Sequence, residues 1–195
     1  PKPQNPAGAR GSNKDLIEEM SSGYIAVTLP DLYPYVLLSV GTLAFECLII
    51  GFLAGGVRKL FDMAKLNEKY GEEHQKHFKS DVPKGGYPDH GDGLYGDTLS
   101  YKDWYAFQLS QRTHKNFLET IAIVCFLIAV IGLVYPITAL VFAGVQFVGR
   151  ILYTIGYRCS PNMRMMGALP VMLSLMAMQV TAVVALSVFI SQVPF

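Results

Sequence analysis

Four long apolar segments constrain the fold of this chain more than any other feature. They run over about residues 32–57, 117–135, 136–157 and 167–190, and the last carries no charged residue. Each approaches or exceeds the ~20 residues that a helix needs to cross ~30 Å of hydrocarbon. None alternates as a strand does, and an open sheet would leave backbone groups unpaired in lipid. The sequence therefore predicts an all-α fold, an integral membrane four-helix bundle.

The connections between these segments are unequal in length. A Tyr135-Pro136 junction predicts a tight hairpin between the second and third helices, because proline favours the first turn of a helix. A polar connection, residues 67–104, is inserted between the first and second helices, and a polar extension, residues 1–31, precedes the membrane domain of residues 32–191. Within that domain the helices are predicted at about residues 32–66, 105–135, 136–157 and 165–191.

The basic residues are concentrated on one side of the predicted membrane. Of the sixteen lysines and arginines, thirteen belong to the first and third connections and the helix ends beside them. The other side has only Lys2, Arg10 and Lys14. This bias predicts that the basic face lies towards the compartment from which the chain is inserted, with both termini on the opposite face. The expected surroundings are membrane lipid, in the endoplasmic reticulum or a mitochondrial membrane.

Composition argues against several other classes of function. The formal net charge is +1, which gives no indication of a nucleic-acid partner. Three cysteines, two of them inside apolar segments, do not form a disulfide framework. His74 and His77 lack the further convergent ligands that a metal site requires, so no metal is predicted.

Polar residues within the apolar segments are costly in lipid and mark candidate functional positions. Near the start of the second helix, Arg112, Asn116 and Glu119 are spaced i, i+4, i+7 and therefore share a helix face. At the end of the third helix, Arg150, Tyr153 and Tyr157 share a face in the same way. The other candidates, at the end of the first helix and in the third connection, are Arg58, Lys59 and Arg164.

These clusters all lie at the basic face and together predict a polar pocket. Several cations, two phenols, an amide and a carboxylate suit a small peptide with two carboxylates and one ammonium group, since arginine binds carboxylates bidentately. The alternative is structural. Arg112 with Glu119, and Arg150, would then form salt bridges between helices, and the tyrosines would belong to an interfacial aromatic belt.

Several stretches of this sequence are similar to those of a known family. They are Tyr33-Pro-Tyr-Val-Leu-Leu38, Arg58-Lys59, QRTHKNFLE at 111–119, VGRILYTIGY at 148–157 and Gly167-Ala168-Leu169. At these residues the chain resembles the MAPEG family, the membrane-associated proteins in eicosanoid and glutathione metabolism. Within it the nearest likeness is to the type-3 microsomal glutathione S-transferases.

The resemblance implies a trimer that binds glutathione between neighbouring subunits at the cytosolic membrane face. It implies a glutathione transferase or peroxidase that acts on lipophilic electrophiles or lipid hydroperoxides. Arg164 falls where the leukotriene synthase of the family has the arginine that stabilises the thiolate, and Lys59 where that enzyme has a second active-site arginine, so both are expected to be catalytic. The expected glutathione-binding residues are Arg58, Arg112, His114, Asn116, Glu119, Arg150, Tyr153 and Tyr157.

Some features depart from the family pattern and leave a second hypothesis open. Thr120 stands where the leukotriene synthase has a tyrosine, the 67–104 connection is longer than in the type-3 enzymes, and the N-terminal extension has no counterpart. Glu46, in the middle of the first segment, is expected to contact a neighbouring helix or subunit. The alternative function is a non-catalytic structural subunit that keeps the fold among unrelated subunits of a larger membrane complex, such as a mitochondrial respiratory complex.

Overall fold

A computed structural model describes residues 29–85 and 87–192 of the chain, so most of the predicted extension 1–31 lies outside the described residues. The described part contains helices and no strand. The α-helices are α1 (Tyr33–Gly55), α2 (Met63–Phe78), α3 (Tyr101–Gly132), α4 (Pro136–Cys159) and α5 (Met165–Gln192). Short 3-10 segments occupy Gly56–Leu60, Gly96–Thr98 and Pro161–Arg164.

Four of the described helices are long and apolar enough to cross a membrane: α1 with its 3-10 extension, α3, α4, and α5 with the 3-10 turn before it. The predicted all-α, four-helix membrane fold is therefore confirmed. Local chemistry fixes the helix starts. Proline occupies the first turn of α1 and of α4. Ser100 caps α3, where its side chain accepts a hydrogen bond from the backbone N–H of Asp103 at 3.2 Å.

The region predicted as one helix over residues 32–66 consists of three elements in the structure. α1 gives way to a 3-10 turn at Gly56, and Phe61 is extended, with ψ of 121°. Asp62 then caps α2, because its Oδ1 accepts a hydrogen bond from the backbone N–H of Ala64 at 3.0 Å. The inserted connection thus contains most of α2, an irregular loop and the first turn of α3.

The interior and exterior of the membrane helices are both apolar, as expected for a bundle surrounded by lipid. Phe52 and Val180 are 77% and 69% exposed, and such side chains on a membrane helix face hydrocarbon. The buried core combines small and branched residues from all four membrane helices. Its members are Val36, Leu43, Val124, Leu127, Ile128, Ile131, Ala139, Ala143, Met178 and Ala182.

Helices α4 and α5 approach each other most closely at Gly167. A Cβ atom added there would lie 2.2 Å from the backbone nitrogen of Tyr153 and 2.3 Å from the carbonyl oxygen of Gly149. Small residues allow membrane helices to pack backbone against backbone, and here no larger residue fits without movement. This contact fixes the part of α4 that carries Tyr153.

Candidate functional site

Arg150 links α4 to α3 inside the bundle. Its side chain is 2% exposed, and its Nη1 donates a hydrogen bond to Oδ1 of Asn116 at 2.8 Å. Its Nη2 donates to the hydroxyl of Thr120, and the guanidinium lies 4.6 Å from the ring centroid of Phe117. A buried guanidinium needs such partners because its desolvation is costly. These contacts fix the rotation of α3 and α4 relative to each other at this depth.

Ion pairing does not explain the predicted cluster. Among the described residues, ion pairs within 4 Å join Glu73 to Lys76 and His77, and Asp92 to Lys115. Arg112, Glu119 and Arg150 take part in none of them. Arg112 and Glu119 are exposed on α3, and Asn116 between them is half-buried. The alternative of salt bridges at these residues therefore does not hold within the described chain.

A second set of contacts continues from α4 to the 3-10 turn after it. Tyr153 and Tyr157 are both buried, and their ring centroids lie 5.6 Å apart. Arg164 places its Nη1 3.5 Å from the Tyr157 hydroxyl and its guanidinium 5.4 Å from the centre of that ring. The structure therefore brings five predicted residues into two groups around one stretch of α4. Asn116 and Arg150 form the first group, and Tyr153, Tyr157 and Arg164 form the second.

Three other predicted residues lie elsewhere. The ring of His114 packs against α1, where a Cβ added to Gly51 would lie 2.7 Å from its Cε1 atom. Arg58 is half-buried in the 3-10 turn after α1. Lys59 is exposed and lines a separate cavity with Lys102. No hydrogen bond within the described residues joins these three side chains to the groups around Arg150.

Several buried polar residues were not among the predicted candidates. Thr120, noted only as a departure from the family, accepts a hydrogen bond from Arg150. Gln111 donates to the carbonyl oxygen of Ala54 at 3.0 Å and so connects α3 to α1. Gln146 donates to the hydroxyl of Ser174 at 2.6 Å. Gln146 lies four residues before Arg150, so the helical period could have identified it as part of the same face.

Glu46 lies at mid-depth in α1 and is 7% exposed. Neither of its carboxyl oxygens has a hydrogen-bond partner among the described residues. A buried carboxyl without partners is costly, so Glu46 is an unusual polar group in the bundle interior. The predicted contact with a neighbouring helix or subunit stays a prediction.

The loop after α2 lies on the first half of α3. Gly91 has φ of +83°, and a Cβ added there would lie 2.5 Å from the ring of Phe107, so only glycine fits. Its carbonyl oxygen accepts a hydrogen bond from Nε2 of Gln108 at 2.7 Å. The carboxylate of Asp89 organises the turn by accepting from the backbone N–H groups of Gly91 and Tyr95 at 2.9 and 2.8 Å.

An apolar cluster beside this loop holds it to the end of α1 and to α2. Its buried members are Phe61, Leu66, Val82, Tyr95 and Phe107. Burial raises the pKa of the Tyr95 phenol, and the nearby carboxylate of Asp89 raises it further. Tyr95 therefore stays neutral in this cluster at physiological pH.

An exposed ion pair connects the loop to the face of α3 that carries Arg112 and Glu119. Asp92 and Lys115 are 3.4 Å apart. Burial acts to raise the pKa of Asp92, but the Lys115 ammonium and hydrogen bonds outweigh it and hold that pKa below its usual value. Lys115 follows Arg112 by three residues and precedes Glu119 by four, so the loop borders their face of the helix.

The described residues contain no group of three or more histidine, cysteine, aspartate or glutamate side chains that could hold a metal ion. His77 instead places its Nε2 2.9 Å from the carboxylate of Glu73.

Comparison with known families agrees with this architecture. The model of the MAPEG family matches residues 36–184, which include most of each membrane helix and every polar residue of the candidate site. The chain belongs to the MAPEG family. No curated protein matches it. As a MAPEG protein it is an integral membrane helical bundle, and glutathione-dependent chemistry is consistent with its family.

Proposed function

We infer that this MAPEG chain binds glutathione at its basic membrane face and uses the glutathione thiolate as a transferase or peroxidase. The second substrate would be a lipophilic electrophile or a lipid hydroperoxide, as in the type-3 microsomal glutathione S-transferases that it resembles. The observation that carries the proposal is the pair of contacts that Arg150 makes with Asn116 and Arg164 makes with Tyr157. These contacts gather an amide, a phenol and two guanidinium groups around the second half of α4, and Tyr153 adds a second phenol beside Tyr157.

The charged residues on the exposed face of α3 supply the groups that a tripeptide needs. Arg112 can bind a carboxylate bidentately, and Glu119 can accept hydrogen bonds from the ammonium group. Arg58, at the end of α1, would be a further cation for the second carboxylate. Arg150 is bonded to Asn116, and we infer that this pair positions the α3 face. Arg112 and Glu119 would then neutralise the charges of the ligand.

Arg164 would act on the thiol. A thiol with pKa ~8.5 is mostly protonated at neutral pH, and a nearby cation favours its thiolate. The thiolate would attack an electrophilic carbon, forming a C–S bond while the leaving group departs with the electron pair of the bond that is broken. With a hydroperoxide it would attack the outer oxygen, breaking the O–O bond and releasing the lipid alcohol. A second glutathione would then convert the resulting sulfenic acid to the disulfide and water.

A trimer would complete this site. Arg112 and Glu119 face outward from the single chain. Their exposure supports a contact with a second copy of the chain at this face. The membrane that houses the trimer would be that of the endoplasmic reticulum or the mitochondrion.

The test is thiolate absorbance of the purified protein titrated with glutathione, at neutral pH, for the wild type and Arg164→Ala. We expect a signal in the wild type and a loss of about tenfold or more in thiolate formation in the variant, since hydrogen bonds to charged groups contribute about 1.5–3 kcal/mol. Lys84→Ala, which removes an exposed cation from the loop, is the control and should leave the signal unchanged. Absence of the signal from the wild type would exclude the catalytic proposal, whereas an unchanged signal in Arg164→Ala would exclude the role of Arg164.

Two observations favour the second candidate, a structural subunit. His114, expected to contact glutathione, packs against Gly51 within the chain, and the inserted loop lies over the start of α3. In a structural subunit the α3 face would contact protein or lipid. The same titration separates the two functions, because a structural subunit gives no thiolate signal.

A further inference from the structure

A second cavity opens at the basic face, between the end of α1 and the start of α3. Its volume is about 530 Å³, and three cationic side chains line it, one from each of three elements: Lys59, Lys102 and Arg158. They come from the 3-10 turn after α1, the first turn of α3 and the end of α4. All three lie towards the ends of their helices on the basic side of the bundle.

These cations have no acidic partner among the described residues. No aspartate or glutamate lines the cavity, and none of the three side chains belongs to an ion pair within 4 Å. Arg158 makes one side-chain contact, from its Nη2 to the Ser110 hydroxyl at 3.4 Å. A guanidinium has five N–H donors, so most of those of Arg158 stay available for an anion.

An apolar groove lies next to this cavity and shares one lining residue with it. Leu53 and Val57 line the cavity, and Leu53 also lines a groove of about 410 Å³ between α1 and α4. The groove extends along α1 from Leu53 to Thr42, which at 1.5 Å per residue is about 16 Å. Its exposed surface is entirely apolar, because the carboxyl of Glu46 lies beneath the lining.

The length of the groove matches one leaflet of a bilayer. The hydrocarbon core is ~30 Å thick, so about 16 Å from the basic face reaches roughly its middle. An acyl chain of one leaflet would therefore fill the groove while its head group stayed at the level of the cations. Basic pockets between membrane helices are known to bind the phosphates of anionic lipids.

We propose that this cavity and groove form a binding site for an anionic phospholipid. Its phosphate would lie among Lys59, Lys102 and Arg158, and one acyl chain would lie along the groove between α1 and α4. The site does not depend on glutathione. In this site Lys59 binds the lipid phosphate, whereas the family resemblance implies a catalytic role for it.

The experiment measures lipid retained by the purified full-length protein, by native mass spectrometry in the absence of glutathione. The probes are phosphatidylglycerol and phosphatidylcholine with identical acyl chains. We expect preferential retention of phosphatidylglycerol, and a decrease of about fivefold in that preference in Lys102→Gln, since one basic residue near the membrane surface contributes about a factor of five. Lys84→Gln, which removes a cation outside the cavity, should retain the wild-type preference.

Three results would overturn the proposal. The first is equal retention of the two lipids by the wild type. The second is the same decrease in Lys84→Gln as in Lys102→Gln, which would reflect overall charge. The third is displacement of phosphatidylglycerol by inorganic phosphate as effectively as by a second phospholipid, which would mean that the cations bind phosphate without the groove. Because no glutathione is present, none of these results bears on the transferase proposal.

Discussion

The two halves of the membrane bundle are built differently. In the hairpin half, the part nearest Tyr135, the core consists of side chains such as Val36, Ile128 and Ala139 that have no polar atoms. In the basic half, at the opposite ends of the same helices, Gln111, Thr113, Arg150 and other polar side chains are buried. Lipid surrounds both halves and gives little hydrophobic drive for helix association. Close packing therefore holds the hairpin half together, whereas the basic half retains costly polar groups that a purely structural bundle does not need.

The closest helix contact should give the largest effect on stability. Gly167→Ala places a Cβ atom against the backbone of α4, and we expect a loss of about 4 kcal/mol or of the folded protein altogether, because that backbone cannot move aside. Gly144→Ala is the matched control, because nothing lies within 4 Å of the added atom. Thermal unfolding in detergent measures both. Equal unfolding temperatures for the two variants would contradict the close α4–α5 packing.

The hairpin half should be sensitive to cavities. Ile128 is fully buried, and Ile128→Ala should lower the free energy of unfolding by about 2–4 kcal/mol because the lost contacts are not replaced. Ile123 lies on the same helix and is 49% exposed. Ile123→Ala should cost less than about 0.5 kcal/mol. A similar cost for both variants would mean that α3 is rotated relative to the structure.

The basic half should show a smaller loss of stability together with a loss of binding. Asn116→Ala leaves the buried guanidinium of Arg150 without one acceptor, and we expect a cost of about 1–3 kcal/mol. Glutathione affinity should also fall, because Arg150 no longer fixes the α3 face. Asn67→Ala on the exposed surface of α2 is the control for the amide deletion. Calorimetric titration measures the change in glutathione affinity, and unfolding of the same samples measures the change in stability. A wild-type affinity in Asn116→Ala would remove Asn116 from the proposed site.

The smallest effect should come from the exposed Asp92–Lys115 pair. The pKa of Asp92 is lowered in the folded protein, so its contribution to stability is present above the unfolded-state pKa of about 3.9 and is lost as the pH falls through the lower folded-state value. Because the pair is exposed, Asp92→Asn should cost no more than about 0.5 kcal/mol at neutral pH. Unfolding in urea at pH 7 and pH 3, with Asp97→Asn as control, measures it. If Asp92→Asn lowered the free energy of unfolding more at pH 3 than at pH 7, the predicted direction of the pH dependence would be wrong.

The two halves also differ in how far the sequence predicts them. The membrane helices could be predicted because a bilayer requires long apolar segments, and Pro136 marks a helix start in the sequence. The end of α1 could not be placed from apolar pattern alone. It depends on the extended conformation of Phe61 and the cap at Asp62, although an aspartate before a helical stretch is a recognisable capping signal.

The sequence predicts which residues of the candidate site share a helix face, but it does not predict which of them contact residues of another helix. Helical spacing placed Arg150 and Tyr153 on one face of α4, and the structure shows Arg150 bonded to Asn116 of α3. Spacing within one helix does not determine which side chain of another helix is the partner, so Thr120 was noted only as a departure. The packing of His114 against Gly51 likewise depends on the rotation of α1 against α3. The inserted loop depends on contacts between distant aromatic residues, which no local pattern specifies.

Calorimetric titration of the purified wild-type protein with glutathione tests the central claim most directly. The claim is that the polar groups of the basic half form a glutathione site. The account predicts saturable binding that weakens by about tenfold in Arg112→Gln and in Glu119→Gln, because each loses a charge-assisted contact to the ligand. Val180→Ala, on the exposed surface of α5, should bind as the wild type does. No binding by a folded wild-type protein, or binding unaffected by both substitutions, would contradict the account.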